Sequence, residues 1–199
     1  MHTGSPEGHG IWGFSSNVRE VVPLGTVDSK WRQRTKFQSN KIQSNGRYTN
    51  IGKAINTISQ DWFNKPIKED RIIVLLTDGK VDVADSPEKN INAKKWLLQV
   101  LIPKLKINKI SIYTIALSDK VDRTLLKKLS NRTGGTFQQL ESARQLQDTY
   151  YNIFNSAVDS NEIPITNGKF KVDRHISEVT LILMKRNEHL FNLIMPNKN

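Results

Sequence analysis

The chain has 199 residues, enough for one ordinary domain with a small appendage, and its 37% hydrophobic and 25% charged residues argue against global disorder. No apolar run reaches the roughly 18 residues that a membrane-spanning helix needs. The absence of cysteine excludes disulfides and thiolate metal sites.

The chain is strongly basic, with a net charge of +11 and a pI near 9.8. Such a charge could attract nucleic acid, an anionic membrane surface or acidic proteins. The basic residues are scattered, however, and their densest groups fall on predicted helix faces or helix ends, where solvated lysines are usual. Those groups are Lys94-Lys95, Lys104/Lys106/Lys109 and Arg123/Lys127/Lys128/Arg132. We therefore do not expect nucleic acid as a partner.

The first predicted elements are two short strands, Gly10–Phe14 and Val18–Leu24, separated by a turn signal. We expect them to pair antiparallel, and Pro23 places the second at an edge or a strand end. The next predicted element is a helix over Asn50–Trp62. Its apolar stripe consists of Ile51, Ala54, Ile55, Ile58 and Trp62.

An unbroken apolar run, Ile72–Leu76, predicts a parallel strand covered on both faces. A long helical pattern follows over Glu88–Lys106, in which Pro103 should produce a kink or an end. The residues expected on its apolar face are Ile91, Leu98, Leu101, Ile102 and Leu105.

Strands and helices continue to alternate after that helix. Ile110–Ala116 predicts a strand, Leu125–Leu129 a short helix ended by Gly134-Gly135, and Thr136–Gln138 a short strand. The capping box Ser142–Gln145 opens a last helix. Its stripe is Leu146, Tyr150, Ile153, Phe154 and Ala157. This alternation predicts an α/β fold with a mostly parallel sheet.

The pattern changes after Val158, where strands are predicted without helices between them. We therefore expect two units, an α/β domain over residues 1–158 and an incomplete β-rich unit over residues 159–199. The strands predicted in the second unit are Phe170–Val172, Val179–Met184 and Phe191–Ile194.

Two polar clusters fall where ligands bind in an open parallel sheet, at the carboxyl ends of strands. One is Thr77-Asp78-Gly79, and the other is the segment Ser44–Gly52 that leads into a helix. A hydroxyl and a carboxylate at one rim form the hard oxygen site that Mg²⁺ prefers. Taken singly, Thr49 or Asn50 could be only a helix N-cap, and Asp78-Gly79 could be only a turn.

Together and in this order, the clusters resemble the von Willebrand factor A (VWA) family, over about Gly10 to Val158. Its Thr-Asp-Gly strand end is matched by Leu75–Gly79, and its threonine loop by Gly46–Ala54. Bacterial members with a Val-Pro-Leu-Gly strand end are more similar still. The further matching segments are Ile112–Leu117, Leu125–Gly135 with Phe137, Val22–Asp28 and Trp31-Arg32.

The resemblance implies a VWA-like (Rossmann-like), mostly parallel sheet with helices on both faces, and non-catalytic protein binding. In the family, a Mg²⁺ ion at the rim takes a carboxylate from the protein partner. Here Thr49 would be a direct or water-bridged ligand, Asp78 would act through metal-bound water, and Ser44 and Asn45 would shape the loop beside the site. The similar bacterial proteins imply an extracytoplasmic, periplasmic or membrane-anchored location for the full-length protein.

One departure from the family concerns its Asp-x-Ser-x-Ser motif, which ends a first apolar strand and which this sequence lacks. Ser15-Ser16 has no Asp two residues before it and follows a different strand. In the family the first strand lies between the strands matched by Gly10–Phe14 and Ile72–Leu76. We therefore expect the first strand to be missing, the metal site to be degenerate and Mg²⁺ binding to be weak.

Enzyme classes lack their motifs here. The chain has no G-x-x-x-x-G-K-[ST] phosphate loop and no G-x-S-x-G nucleophile elbow, so we expect no catalysis. The alternative function is that of a basic, nucleic-acid-associated VWA-like protein, because some VWA modules work beside RNA.

Overall fold

The computed structural model describes residues 8–43, 46–63, 65–66, 71–157, 166 and 169–171. The strands are β1 (His9–Phe14), β2 (Val18–Gly25), β3 (Arg71–Thr77), β4 (Ile110–Ala116) and β5 (Phe137–Gln139). The α-helices are α1 (Ser29–Ser39), α2 (Ile51–Ser59), α3 (Pro87–Trp96), α4 (Ile102–Ile107), α5 (Arg123–Thr133) and α6 (Leu146–Ala157). A π-helical turn, Leu97–Leu101, joins α3 to α4, and a 3₁₀ turn, Ala143–Gln145, precedes α6.

The parallel sheet has the strand order β3-β4-β5. β3 and β4 are in register from Arg71 opposite Ile110 to Thr77 opposite Ala116. The parallel arrangement predicted from the apolar runs is confirmed. The expected cover of β3 is complete on the face of Ile73 and Leu75, which are buried, and partial on the other face, where its alternate residues are partly buried.

β1 and β2 form the predicted antiparallel hairpin, with Phe14 opposite Val18 beside the turn. This hairpin is a separate two-stranded sheet, so β1 does not pair with β3. No strand among the described residues joins the two sheets.

Helix α2 packs its apolar stripe into the main core, as predicted. Ile51, Ala54 and Ile55 are buried, and the core around them includes Ile73 and Leu75 of β3. Each such aliphatic side chain contributes about 1.5–3 kcal/mol on burial. The helix ends at Ser59 rather than at Trp62, although Trp62 still packs against the core.

The predicted long helix is divided by the π-helical turn that precedes Pro103. A proline has no N–H to donate and its ring crowds the carbonyl four residues earlier, and the wider π turn accommodates this change. Burial begins only at Leu97, and α3 itself has no buried residue. The prediction that Ile91 faces the core was therefore wrong, since 52% of it is exposed.

A chain of buried hydroxyl groups joins α5 to β4. The Thr114 and Ser130 hydroxyls lie 2.7 Å apart, and Ser130 Oγ also donates to the Leu126 carbonyl at 3.1 Å. One turn further along α5, Thr133 Oγ1 accepts from the Ile112 N–H at 3.0 Å. All three hydroxyls lie in residues that are buried, so hydrogen bonds as well as apolar contacts hold α5 on the sheet.

Two glycines end α5, as predicted. Gly134 adopts φ 87°, the left-handed conformation that glycine accepts without strain. At Gly135, an added Cβ would lie 2.1 Å from the Ile112 carbonyl oxygen, so only glycine fits. The strand predicted after them begins and ends one position later, as β5.

Helix α1 was not predicted. Its first turn is capped by Asp28, whose side chain accepts from the Trp31 N–H at 2.6 Å. The Trp31 indole N–H donates to the His9 carbonyl at 3.1 Å, which ties the helix to β1. No residue of α1 is buried, so it has no apolar stripe that a periodicity search could detect.

The last helix begins close to the predicted capping box, where Gln145 Oε1 accepts from the Ser142 N–H at 3.3 Å. Ile153 is buried, whereas Tyr150 and Phe154 are exposed. The chain divides into two compact units, Met1–Ser160 and Asn161–Asn199. In the second unit, Thr166 and Lys169 form an isolated bridge, and the predicted strands lie outside the described residues except for 170–171.

Candidate metal site at the sheet rim

Thr49 is held at the sheet rim by a two-hydrogen-bond pair with the loop that follows β3. The Thr49 N–H donates to the Asp82 carbonyl at 2.7 Å, and the Asp82 N–H donates to the Thr49 carbonyl at 3.1 Å. The next residue, Asn50, caps α2 by accepting from the Lys53 N–H at 3.0 Å. The backbone therefore fixes Thr49 in place immediately before the helix.

The Thr49 side chain lies against the Thr-Asp-Gly turn. A Cβ added to Gly79 would stand 3.2 Å from Thr49 Oγ1, so the absence of a side chain at position 79 leaves room for this hydroxyl. Asp78, the residue before, is exposed. Within the described residues its carboxylate accepts no hydrogen bond. The structure thus brings Thr49 and the segment carrying Asp78 together at one rim.

Ser44 and Asn45 lie outside the described residues. The loop that follows them returns to the end of β1, where Asn50 N–H donates to the Ser15 carbonyl at 3.0 Å. A Cβ on Gly46 would collide with the Ser15 side chain, at 1.9 Å from its Cβ. Ser15 is therefore a rim residue that the sequence analysis set aside, because it has no Asp two residues before it and follows a different strand.

Ser118, just beyond β4, was also missed. Its hydroxyl donates to the Asp78 carbonyl at 2.5 Å, and its own carbonyl accepts from Gln139 Nε2 at 3.0 Å. These contacts connect the loop after β3 to the loop after β4 and to β5. The rule that placed Asp78 at the carboxyl end of a strand applies equally to Ser118 and could have identified it.

The neighbouring aspartates have partners of their own. Asp82 Oδ1 accepts from Asn90 Nδ2 at 3.0 Å, and Asp85 forms an exposed ion pair with Arg47 at 2.5 Å. Among the described residues, no group of three or more His, Cys, Asp or Glu side chains could hold a metal ion together.

Asp122 caps α5 on the same side of the sheet, after β4, and forms an ion pair with Lys94 at 2.8 Å. Burial alone would raise the pKa of Asp122. The hydrogen bonds from Lys94 and from the Leu125 N–H, with the charges of Lys94 and Lys80, outweigh it and hold this pKa below its ordinary value of 3.8. The Asp122 carboxylate therefore has a structural role, as a helix cap and an ion-pair partner.

The donor set does not by itself fit a resident Mg²⁺ ion. Such an ion takes about six oxygens in near-octahedral geometry. The described rim offers the Thr49 hydroxyl and the Asp78 carboxylate, and every other carboxylate described above already has a hydrogen-bond or ion-pair partner. What the rim can do is present a fixed hydroxyl and a free carboxylate to a partner.

Comparisons with known proteins agree on one family. The model of the von Willebrand factor type A domain matches residues 8–152. A solved von Willebrand factor type A protein from Catenulispora acidiphila is similar, with a TM-score of 0.59, 19% identity, and coverage of 75% of this chain and 34% of that one. No curated protein matches the sequence significantly.

Two further solved structures are similar. Proximal thread matrix protein 1 from the mussel byssus, solved with a zinc-occupied MIDAS motif, has a TM-score of 0.55 and 20% identity, covering 74% of this chain and 35% of that one. An aerotolerance-related membrane protein from Bacteroides fragilis has a TM-score of 0.50 and 14% identity, covering 74% and 79%. The chain thus spans about a third of the length of the Catenulispora and mussel proteins.

Proposed function

Because the chain belongs to the von Willebrand factor A (VWA) family, we propose that it is a non-catalytic protein-binding module that uses the sheet rim. The observation that supports this proposal most directly is the position of the Thr49 hydroxyl, which lies against Gly79, the residue that follows Asp78. By the family resemblance, Thr49 would belong to the threonine loop and Asp78 to the Thr-Asp-Gly turn. We further propose that the rim is a degenerate adhesion site.

The partner would offer a carboxylate to this rim. The Thr49 hydroxyl would donate a hydrogen bond to that carboxylate, and Lys53 would supply a positive charge. Lys53 Nζ lies 3.4 Å from the Ser16 carbonyl and 3.1 Å from Asn17 Oδ1, at the turn between β1 and β2. Asp78 would repel the carboxylate unless a cation lay between them, so the proposal includes a weakly held Mg²⁺ ion whose remaining ligands come from water and from the partner.

The full-length protein would act outside the cytoplasm or at a membrane. The similarity to the Bacteroides fragilis membrane protein supports this location. Within the described residues, no helix has both the length and the apolarity needed to cross a bilayer.

The metal part of the proposal is tested by calorimetry with MgCl₂ on the whole chain. We expect a dissociation constant weaker than about 0.1 mM, because two protein oxygens are too few for a tight site. Asp78→Ala should abolish the residual heat, whereas Asp85→Ala, which removes an aspartate already paired with Arg47, should leave it unchanged. Tight, stoichiometric binding that survives Asp78→Ala would refute the site.

The carboxylate part is tested with acetate as the probe. Amide chemical shifts in the ¹H–¹⁵N spectrum should change around Thr49 and Lys53, more strongly with Mg²⁺ present. Thr49→Val keeps the backbone pair with Asp82 and removes only the hydroxyl, and it should suppress the change. Shifts spread evenly over the basic surface, and equal in the valine variant, would mean that the rim is not a carboxylate site.

One observation favours nucleic-acid association as a second candidate function. Helix α1 carries four cations and no acidic residue, and none of its side chains is buried. The four are Lys30, Arg32, Arg34 and Lys36. Such a helix would attract any polyanion whatever its nucleotide sequence, so we expect only weak, sequence-indifferent binding.

A further inference from the structure

Helix α1 has one side towards the β1–β2 hairpin and one side towards solvent. On the hairpin side, the Trp31 indole N–H donates to the His9 carbonyl at 3.1 Å, and Trp31, Thr35 and Gln38 are partly buried. The opposite side consists of exposed residues at the i, i+3, i+4, i+7 spacing that places side chains on one helix face. These residues, which we call the outward face of α1, are Lys30, Gln33, Arg34 and Phe37.

The outward face of α1 carries uncompensated positive charge. Lys30 and Arg34 lie on this face, and neither forms an ion pair within the described part of the chain. The neighbouring sequence offers no carboxylate, because residues 29–60 include seven Lys or Arg residues and no Asp or Glu. The nearest acid before that stretch, Asp28, caps the helix through the Trp31 N–H. Charge of this kind attracts an anionic surface.

An exposed aromatic side chain stands among these cations. Phe37 is 61% exposed, and the Lys41 ammonium, in the turn that follows α1, lies 3.8 Å from the centre of its ring. The ring would gain free energy by leaving water, whereas the cations beside it favour anions. An anionic bilayer meets both requirements, since its headgroups attract Lys and Arg and the boundary beneath them accepts apolar side chains.

The shape of the outward face distinguishes a bilayer from a nucleic acid. Proteins bind single-stranded nucleic acid in a charged groove, with several aromatic side chains on which successive bases stack. The outward face is the convex side of a single helix, its one aromatic is Phe37, and Lys41 covers one side of that ring. Contacts to phosphates alone would not require an exposed aromatic side chain. A flat anionic surface with an apolar interior therefore fits this face better.

We propose that the outward face of α1, together with Lys41, binds the surface of an anionic lipid bilayer. The helix axis lies parallel to the surface, so that Lys30 and Arg34 contact lipid phosphates while Phe37 enters the headgroup region. The proposal rests on the membrane location proposed above and gives that location a contact surface on this chain. It uses neither the sheet rim nor a metal ion.

The first test is cosedimentation of the whole chain with lipid vesicles in the presence of EDTA, so that no metal at the rim contributes. We expect binding to phosphatidylcholine vesicles that contain one third phosphatidylglycerol, and none to pure phosphatidylcholine. The binding should weaken as salt is added, because salt screens the attraction. Thr49→Val should bind as the parent chain does, which keeps this result separate from the rim tests. Equal binding to both vesicles, or none to the anionic ones, would overturn the proposal.

Charge variants locate the contact on the protein. Lys30→Gln/Arg34→Gln should weaken binding to the anionic vesicles by about 25-fold, since each cation near such a surface contributes about fivefold. The matched control, Lys89→Gln/Lys95→Gln, removes the same charge from exposed positions of α3 and should cost no more than about twofold. Equal losses in the two double variants would mean that net charge, rather than the outward face of α1, determines binding, and the proposal would be wrong.

Two variants of Phe37 separate a bilayer from a nucleic acid. Phe37→Leu keeps an apolar side chain and should retain vesicle binding, whereas Phe37→Ser should weaken it by about tenfold. Stacking on a base requires the aromatic ring, so both variants would lose affinity for polyuridylate if the outward face bound single-stranded RNA. Equal losses of polyuridylate affinity with unchanged vesicle binding would assign the face to nucleic acid and refute the bilayer proposal.

A fluorescent label tests the contact in a chain that keeps every cation and Phe37. The sequence contains no cysteine, so Gln33→Cys places a unique label on the outward face and Asn131→Cys places one on exposed α5. With a nitrobenzoxadiazole label, emission should shift to the blue on anionic vesicles at position 33 and stay unchanged at position 131. A shift at position 131 alone, or equal shifts at both positions, would show that α1 is not the bilayer contact.

Discussion

Asp122 combines two stabilising roles that substitution can separate. Its side chain caps α5 through the Leu125 N–H at 3.1 Å and pairs with Lys94 at 2.8 Å. Asp122→Ala removes both contacts, whereas Asp122→Asn keeps an oxygen for the cap and loses the charge. Lys94→Met leaves the cap and removes only the charge partner.

The expected magnitudes follow from the exposure of the pair. Loss of an N-cap costs about 1 kcal/mol. The side chains of Lys94 and Asp122 are 33% and 26% exposed, so solvent screens their attraction. We therefore assign the ion pair about 0.5 kcal/mol. Asp122→Ala should lower the free energy of unfolding by about 1.5 kcal/mol, and Asp122→Asn or Lys94→Met by about 0.5 kcal/mol each.

The charge contribution should depend on pH in a defined direction. Because the pKa of Asp122 is lowered on folding, its ionised form stabilises the fold above the ordinary value of 3.8, and this stabilisation is lost as the pH falls through the lower, folded pKa. The difference between the parent chain and Asp122→Asn should therefore be constant at neutral pH and shrink in acid.

Urea denaturation of the parent chain, the three variants and the double variant Lys94→Met/Asp122→Asn measures these terms. In the double variant the losses should not add, because both substitutions remove the same interaction. The reasoning is wrong if Asp122→Asn costs as much as Asp122→Ala, or if the difference between parent and asparagine variant grows in acid.

Three further predictions concern other parts of the chain. Arg71→Met should lower the free energy of unfolding by about 2–4 kcal/mol, because the nearly buried guanidinium donates to the carbonyls of Trp62, Lys65 and Pro66 at 2.7, 3.1 and 2.8 Å. In urea denaturation Arg71→Lys should recover part of the loss, and equal stability of all three proteins would contradict this role. Gly135→Ala should cost about 3 kcal/mol or more, because the new Cβ would collide with the backbone of Ile112 in β4, and normal thermal stability would contradict it. Single-stranded RNA should bind weakly and lose affinity steeply with added salt in filter binding, and submicromolar, sequence-selective affinity would favour the nucleic-acid function instead.

The sequence predicts most strongly the parts of the fold where side-chain pattern and burial coincide. Ile72–Leu76 could be assigned as a parallel strand because an unbroken apolar run suits a buried sheet. Helix α1 could not be assigned, because it buries nothing and its clearest signal is the Asp28 cap. Ile91 was misplaced because helical periodicity continues along α3 beyond the point where that helix leaves the core.

The candidate site was predictable in part for a similar reason. Thr49 and Asp78 were found because each belongs to a motif at a strand or helix end. Ser15 and Ser118 act at the same rim mainly through backbone carbonyls or through a single hydroxyl, which any short polar residue could offer. Contacts of this kind depend on the approach of loops in three dimensions, and a linear pattern does not record them.

The buried hydroxyls between α5 and β4 have a consequence for how the helix can vary. Apolar contacts allow a helix to slide, because one aliphatic neighbour replaces another at little cost. The bond between Thr114 and Ser130 allows no such exchange, since a shift of one residue would take from the buried Thr114 hydroxyl its partner on α5, at about 1–3 kcal/mol. The hydroxyls therefore set the position of α5 along its own axis, and with it the distance from the sheet to Asp122 at the start of the helix. Removal of the Ser130 hydroxyl alone, which takes the close partner from the buried Thr114 hydroxyl, should therefore cost more than removal of both polar groups together.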